Sequence, residues 1–123
     1  MAPLPVSPRR LAAERRGRLG EDAAARFLER AGWEILARRV RTKAGEVDLV
    51  AGRPGLIAFV EVKTRATAAE LDHAIDAARL SRVAAAAEVL APRFAGEGQD
   101  IRVDVLLVAP GEAIRHIENA WIG

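Results

Sequence analysis

Apolar residues recur along this chain with two periods, and the switches between them outline its elements. After the first eight residues the spacing is helical, most strongly from Leu19 to Ala31 (LGEDAAARFLERA): at 100° per residue Ala24, Ala25 and Leu28 form one stripe, and Glu21 lies on it. Gly32 suits the position just past a helix end, whereas Gly17 and Gly20 weaken helix propensity upstream. Residues 1–8, with three prolines, read as a disordered tail. Period-two or fully apolar runs follow at Trp33–Val40 (WEILARRV), Glu46–Ala51 (EVDLVA) and Leu56–Thr64 (LIAFVEVKT), with Gly52-Arg53-Pro54-Gly55 as a turn between the last two. A long helix is predicted from about Ala69 to Leu90, with Pro92 limiting its extension. A polar loop at Gly96–Asp100 leads to a strand at Ile101–Val108 (IRVDVLLV), and Pro110-Gly111 turns the chain into a last short strand at Ala113–Ile117. The order α-β-β-β-α-β-β describes a layered α/β fold, with residues 9–123 as one domain.

Composition narrows the class. A chain of 123 residues, half of them hydrophobic, can bury one modest core and is globular. No apolar run approaches the roughly 20 residues of a membrane-spanning helix, and the first residues lack the apolar stretch of a signal peptide. With no cysteine there is neither a disulfide framework nor a thiolate metal site, and the cytoplasm is the expected compartment. The net charge of +2 is unevenly spread: residues 1–41 carry ten arginines against five acids, a net of +5, and the remainder nine bases against twelve acids, a net of −3. A basic first third suits contact with a polyanion, although arginines that simply solvate a helix give the same pattern. Seventeen arginines accompany only two lysines, Lys43 and Lys63, so the compact ammonium at position 63 stands out.

The candidate chemistry lies between Gly45 and Arg65. Alternation puts Ile57, Phe59, Glu61, Lys63 and Arg65 on one strand face and Ala58, Val60, Val62 and Thr64 on the other. The run is apolar on both faces, as in a central strand, until Glu61 and Lys63 appear together at its end. Asp48 is likewise a charge between Val47 and Leu49. If the two strands pair antiparallel across the turn, both carboxylates meet at one end of the sheet. Buried carboxylates need compensation; Mg²⁺ or Mn²⁺, which takes oxygen ligands, supplies it and suits phosphodiester hydrolysis. Lys63 would then orient or activate the attacking water, or steady the transition state.

GEVDLVA followed by FVEVKTR, with the LGEDAAARFLERAGWEIL opening, the AIDAARLSRV helix and the RVDVLLV…IRHIENAW close, resembles the YraN-like family of small bacterial proteins over roughly Arg16 to Trp121. That family is placed in the restriction-endonuclease-like (PD-(D/E)XK) nuclease superfamily. The resemblance implies an αβββαβ core with a central mixed sheet flanked by helices, similar to archaeal Holliday-junction resolvases. It implies that Asp48, Glu61 and Lys63 are catalytic, with Asp48 and Glu61 on the metal and Glu21 assisting from the first helix. The chain departs from the pattern at Arg39, where an asparagine is expected, at Arg79, where a lysine is usual, and at Arg102-Val103-Asp104-Val105, in place of RFDV.

Around this core, Arg65, Arg79, Arg82 and Arg39 are candidates for phosphate contact, which positions nucleic acid without reading its sequence; for Arg79 and Arg82 a solvated helix face is the competing reading. Glu46 is either a supporting ligand or a solvated strand start. His73 and His116 have no histidine partner at ligand spacing, Asp104 is expected in an ion pair near Arg102, and Trp33 and Trp121 read as core or interface aromatics. The expected activity is a Mg²⁺- or Mn²⁺-dependent endonuclease acting on nucleic acid, DNA favoured over RNA and branched substrates over a specific sequence. A nucleic-acid-binding protein that keeps the fold without catalysis is the alternative, and a module whose charges are structural ion pairs is a third reading. A homodimer is compatible with the sequence, which does not decide the point.

Overall fold

Ser7 starts the first helix: its hydroxyl accepts the Arg10 amide at 3.2 Å, and Pro8, with no amide to satisfy, fills the first helical position. In the computed structural model, which describes residues 6–121, helix α1 runs Pro8–Arg30. Residues 1–5 of the expected tail lie outside the described residues, and Pro8 is helical, so the helical segment expected after residue 8 starts there and runs eleven residues upstream of Leu19, where its pattern becomes strongest. Its added turns are almost wholly exposed and hold an Arg10–Glu14 ion pair at 3.5 Å, one turn apart. Gly20, Ala24, Ala25 and Leu28 are buried. The helix closes with amide bonds from Gly32 to Glu29 (3.1 Å) and from Trp33 to Leu28 (2.9 Å), Gly32 taking a φ of 94° that a side chain would resist.

Five strands form one sheet in the order β1 (Glu34–Arg41), β2 (Glu46–Arg53), β3 (Leu56–Thr64), β4 (Asp100–Val108) and β5 (Arg115–Ile117). The β1–β2, β2–β3 and β4–β5 pairs are antiparallel, and β3–β4 is parallel. The chain makes that parallel return through helices, as the geometry demands. The single helix predicted over Ala69–Leu90 is two: a short α2 (Ala68–Leu71) capped by Thr67, and α3 (Ala77–Phe94) capped by Asp76, whose carboxylate accepts the amides of Ala78 (2.9 Å) and Arg79 (3.4 Å). Pro92 sits inside the last turn instead of beyond the helix end. The architecture is the expected αβββαβ arrangement, a mixed sheet flanked by helices and compatible with a restriction-endonuclease-like core, with β5 added at one edge.

The sheet separates two cores. One packs Leu80, Val83 and Leu90 of α3 against Ile57, Phe59, Val103 and Val105. The other packs Ala24, Ala25 and Leu28 of α1 against Ala58, Val60, Val62 and Leu106. The β3 alternation read from the sequence therefore holds. In β2 it breaks: Val47 and Val50 join the α3 core, Leu49 and Ala51 the α1 core, so the strand changes face at Asp48. Across from it, between the Arg38↔Leu49 and Val40↔Val47 pairs, Arg39 has a φ of 51°, an uncommon conformation for a bulky residue.

Gly20 permits α1 to touch the end of β3. A methyl group added there would stand 2.1 Å from Thr64 Oγ1, 2.8 Å from its Cγ2 and 3.0 Å from its Cβ. Gly20→Ala is therefore expected to cost about 1–3 kcal/mol in urea denaturation by overpacking, and a second change, Thr64→Ala, should recover part of it. A Gly20→Ala protein as stable as the wild type would contradict this contact.

Candidate functional site

The β2–β3 ladder runs to Leu49↔Val60. One step further on, Asp48 turns its carboxylate to the neighbouring strand, where Oδ2 accepts the Val62 amide at 2.8 Å. This is its hydrogen bond among the described residues; no lysine or arginine pairs with it there. Burial, the negative charge of Glu61 and, less strongly, that of Glu21 oppose ionisation, and Asp48 is pushed up to about 7. The two strand carboxylates thus meet at one end of the sheet, as the antiparallel hairpin requires.

Glu61 is 3% exposed and is held by two cations: Lys63 Nζ lies 3.5 Å from Oε1, and Arg79 Nε lies 3.3 and 3.4 Å from the two oxygens. Glu21 projects from α1 toward the same end and is clamped by Arg39, whose Nε and Nη2 donate to its two oxygens at 3.1 and 3.0 Å. Two arginines considered for phosphate contact are therefore engaged with the site's own carboxylates. Arg79 faces inward, not onto a solvated helix face, because α3 packs its first turn over the end of β3. Arg82 is exposed and lies outside the cleft, and Glu46 pairs with Arg41 at 3.5 Å instead of joining Asp48.

Between α1 and the strand ends is a cleft of about 370 Å³, lined by Glu21, Asp48, Lys63, Arg65, Arg16 and Gly17 among others. Arg65 donates to its neighbour's carbonyl, Thr64 O, at 2.8 Å. Arg16 was not singled out from the sequence, where nothing distinguished it among ten arginines. Ala13 and Gly17 stand at helical spacing before Glu21, so the stripe that carries the cleft wall continues the helical pattern upstream of Leu19. A larger groove of about 590 Å³ adjoins it, sharing Arg16 and Thr64, but is mostly apolar and lacks the carboxylate pair.

Among the described residues, no three acidic or histidine side chains converge as a ready-made metal cage. The donor set is Asp48, which lines the cleft, and the buried Glu61 on the neighbouring strand, with Glu21 drawn toward Arg39. Such a pair fits Mg²⁺ or Mn²⁺, which commonly takes one or two protein carboxylates and completes its shell with water and phosphate oxygens. The observation that favours a cation is Asp48 itself, a partly buried carboxyl beside a second one and with no salt-bridge partner among the described residues.

The remaining candidates are structural. Asp104 is fully buried and accepts a forked pair from Arg102 (2.7 and 2.8 Å), the Asn119 amide (3.0 Å) and a hydrogen bond with His116 Nε2 (2.8 Å). The expected ion pair is thus present, and His116 belongs to it. His73 is exposed, Trp33 is buried beneath the Arg53 guanidinium at 4.3 Å, and Trp121 packs at the margin of the α3 core.

The family model described as "Uncharacterised protein family UPF0102" matches residues 20–108, a span that includes Glu21, Asp48, Glu61 and Lys63. A UPF0102 protein of Erythrobacter litoralis (strain HTCC2594) is 62% identical over 113 residues, covering 92% of this chain and 97% of that protein. Those of Sphingopyxis alaskensis (strain DSM 13593 / LMG 18877 / RB2256) and Rhodopseudomonas palustris (strain ATCC BAA-98 / CGA009) are 56% and 44% identical, covering 91% of this chain in each case and 97% and 87% of those proteins. This chain belongs to the UPF0102 family.

Proposed function

We propose that this protein is a metal-dependent nuclease of the restriction-endonuclease-like superfamily, similar to archaeal Holliday-junction resolvases, that hydrolyses phosphodiester bonds in nucleic acid. The single observation that carries the reading is the juxtaposition of Asp48 and the buried Glu61 at the ends of two apolar strands, beside Lys63, with Asp48 and Lys63 lining a cleft bordered by arginines. Asp48 and Glu61 would hold Mg²⁺ or Mn²⁺, and Glu21 would support it. Bound there, the ion supplies charge neutralisation and a more acidic water. Arg16 and Arg65 are placed to receive phosphate oxygens along the cleft. Lys63, with its side chain 18% exposed, reaches both Glu61 and the cleft. From there it orients the attacking water or neutralises charge on the phosphorus centre as the water oxygen bonds to phosphorus and the leaving oxygen departs with a proton.

DNA is the favoured substrate, branched forms ahead of a defined sequence, and cutting two strands symmetrically would call for a homodimer. A second reading is a nucleic-acid-binding protein without catalysis. It is favoured by one observation: Glu61 is already balanced by Arg79 and Lys63. Cleavage of single-stranded, duplex, flapped and four-way-junction DNA in Mn²⁺ separates the two. Wild type should cut at least one substrate, and Lys63→Met should lower the rate by about a hundredfold while remaining folded, as loss of one charge-stabilising donor does. Salt-sensitive binding with no cutting by the wild type would favour the second reading.

A further inference from the structure

Three arginine–carboxylate pairs can be compared within this one molecule. Arg102 grips Asp104 with two nitrogens at 2.7 and 2.8 Å, and Arg39 grips Glu21 with two at 3.1 and 3.0 Å, both forked arrangements. Arg79 does not fork. Its Nε alone is shared between the Glu61 oxygens at 3.3 and 3.4 Å, beyond the usual range of such bonds. Its two terminal nitrogens make no hydrogen bond among the described residues.

The position of Arg79 is also unfavourable for its own helix. It occupies the first turn of α3, next to the positive end of the helix dipole, where the capping carboxylate of Asp76 is engaged by backbone amides, that of Arg79 among them, and makes no ion pair with the Arg79 guanidinium among the described residues. Glu61 is the carboxylate it meets. Burial differs sharply across the pair: the Glu61 side chain is 3% exposed, that of Arg79 32%. The guanidinium therefore meets water directly, whereas the carboxylate is almost wholly covered. Asp48 and Lys63 line the cleft, whereas Glu61 is not among its lining residues.

We infer that Arg79 is a displaceable counter-ion of Glu61, which holds that carboxylate in the metal-free protein, competes with a divalent cation for it, and so sets the metal affinity of the site. The inference rests on the metal-site reading above. A weakly held, partly solvated cation keeps a buried carboxylate paired and ordered before loading, and it leaves without stranding its own charge. Once released, its guanidinium has donors for a phosphate oxygen in the adjoining cleft.

Calorimetric titration of Mn²⁺ into the purified full-length protein tests this. Arg79→Met should bind Mn²⁺ about tenfold tighter than wild type, the effect of removing one competing positive charge. Arg82→Met, which removes the same charge from the exposed face of the same helix without touching Glu61, should stay within about twofold of wild type. Thermal denaturation in chelator establishes that each variant is folded, and if Arg79→Met is not, Arg79→Gln takes its place. Equal or weaker binding by the folded variant would overturn the inference, as would an equal gain in Arg82→Met, which would reflect overall charge alone. If neither wild type nor the Arg79 variant binds Mn²⁺, the metal-site reading fails, and this inference with it.

Discussion

Replacing Asp48 with asparagine is expected to make the metal-free protein more stable at pH 8, by up to about 4 kcal/mol, and to abolish its affinity for divalent cations. In the folded chain the Asp48 carboxyl is pushed up to about 7 from 3.8 by burial first and by the Glu61 charge second. The folded form therefore holds its proton where the unfolded chain has already released it. Stability attributable to this group is highest below about pH 4, falls as the pH rises toward 7, and stays low above that. Asparagine removes the charge and keeps an oxygen to accept the Val62 amide, so its advantage should grow across that window and vanish at acid pH. Urea denaturation in chelator at several pH values measures it. A gain that does not depend on pH would mean that Asp48 is not the strained group. Stability given up at a site in the metal-free state is the usual accompaniment of function.

The opposite sign is expected at Asp104. Burial pushes this carboxyl up, but the Arg102 guanidinium, the Asn119 amide and His116 outweigh it and hold it below the usual carboxylate range. Its contribution is therefore present at neutral pH and is lost as the pH falls below about 4 and through its lowered pKa. Asp104→Ala should cost about 3–5 kcal/mol at pH 7, because it leaves a largely buried guanidinium without its main partner and an amide and an imidazole without their acceptor. Arg102 keeps a distant contact with Glu118 at 3.8 Å, too exposed to compensate. The short β5 and the chain after it, which reach β4 through this carboxylate and through the Ala120 amide on Val103 O (2.7 Å), should loosen first in hydrogen exchange. A loss below about 1 kcal/mol would show that the network is solvated rather than buried.

These two aspartates show what was readable in the residues and what was not. Asp48, Glu61 and Lys63 were legible because each interrupts an apolar strand, where a charge has to be explained. The limits of β3, apolar on both faces, agree with its sequence reading at Leu56 and Thr64. The outer half of α1 is only faintly written because it buries almost nothing; the Ser7 cap, Pro8 and an exposed ion pair mark it, and periodicity sees burial. The break between α2 and α3 was written in two caps, Thr67 and Asp76, obscured by the helix-forming residues around them. Arg79 was unreadable for a different reason. Its partner is eighteen positions away on another element, and only the packing of α3 over the end of β3 brings the two together. The left-handed turn at Arg39 and the face change at Asp48 are likewise tertiary, since alternation alone assigns β2 a regular pleat.

The most direct test of the central claim, that Asp48 and Glu61 form a divalent-cation site, is Mn²⁺ binding followed by electron paramagnetic resonance of the free ion at pH 8. Wild type is expected to remove one equivalent of Mn²⁺ from solution and Asp48→Asn none, although the variant is the more stable protein. Binding that survives in Asp48→Asn, or a wild type that takes up no Mn²⁺ at millimolar concentration, would contradict the account.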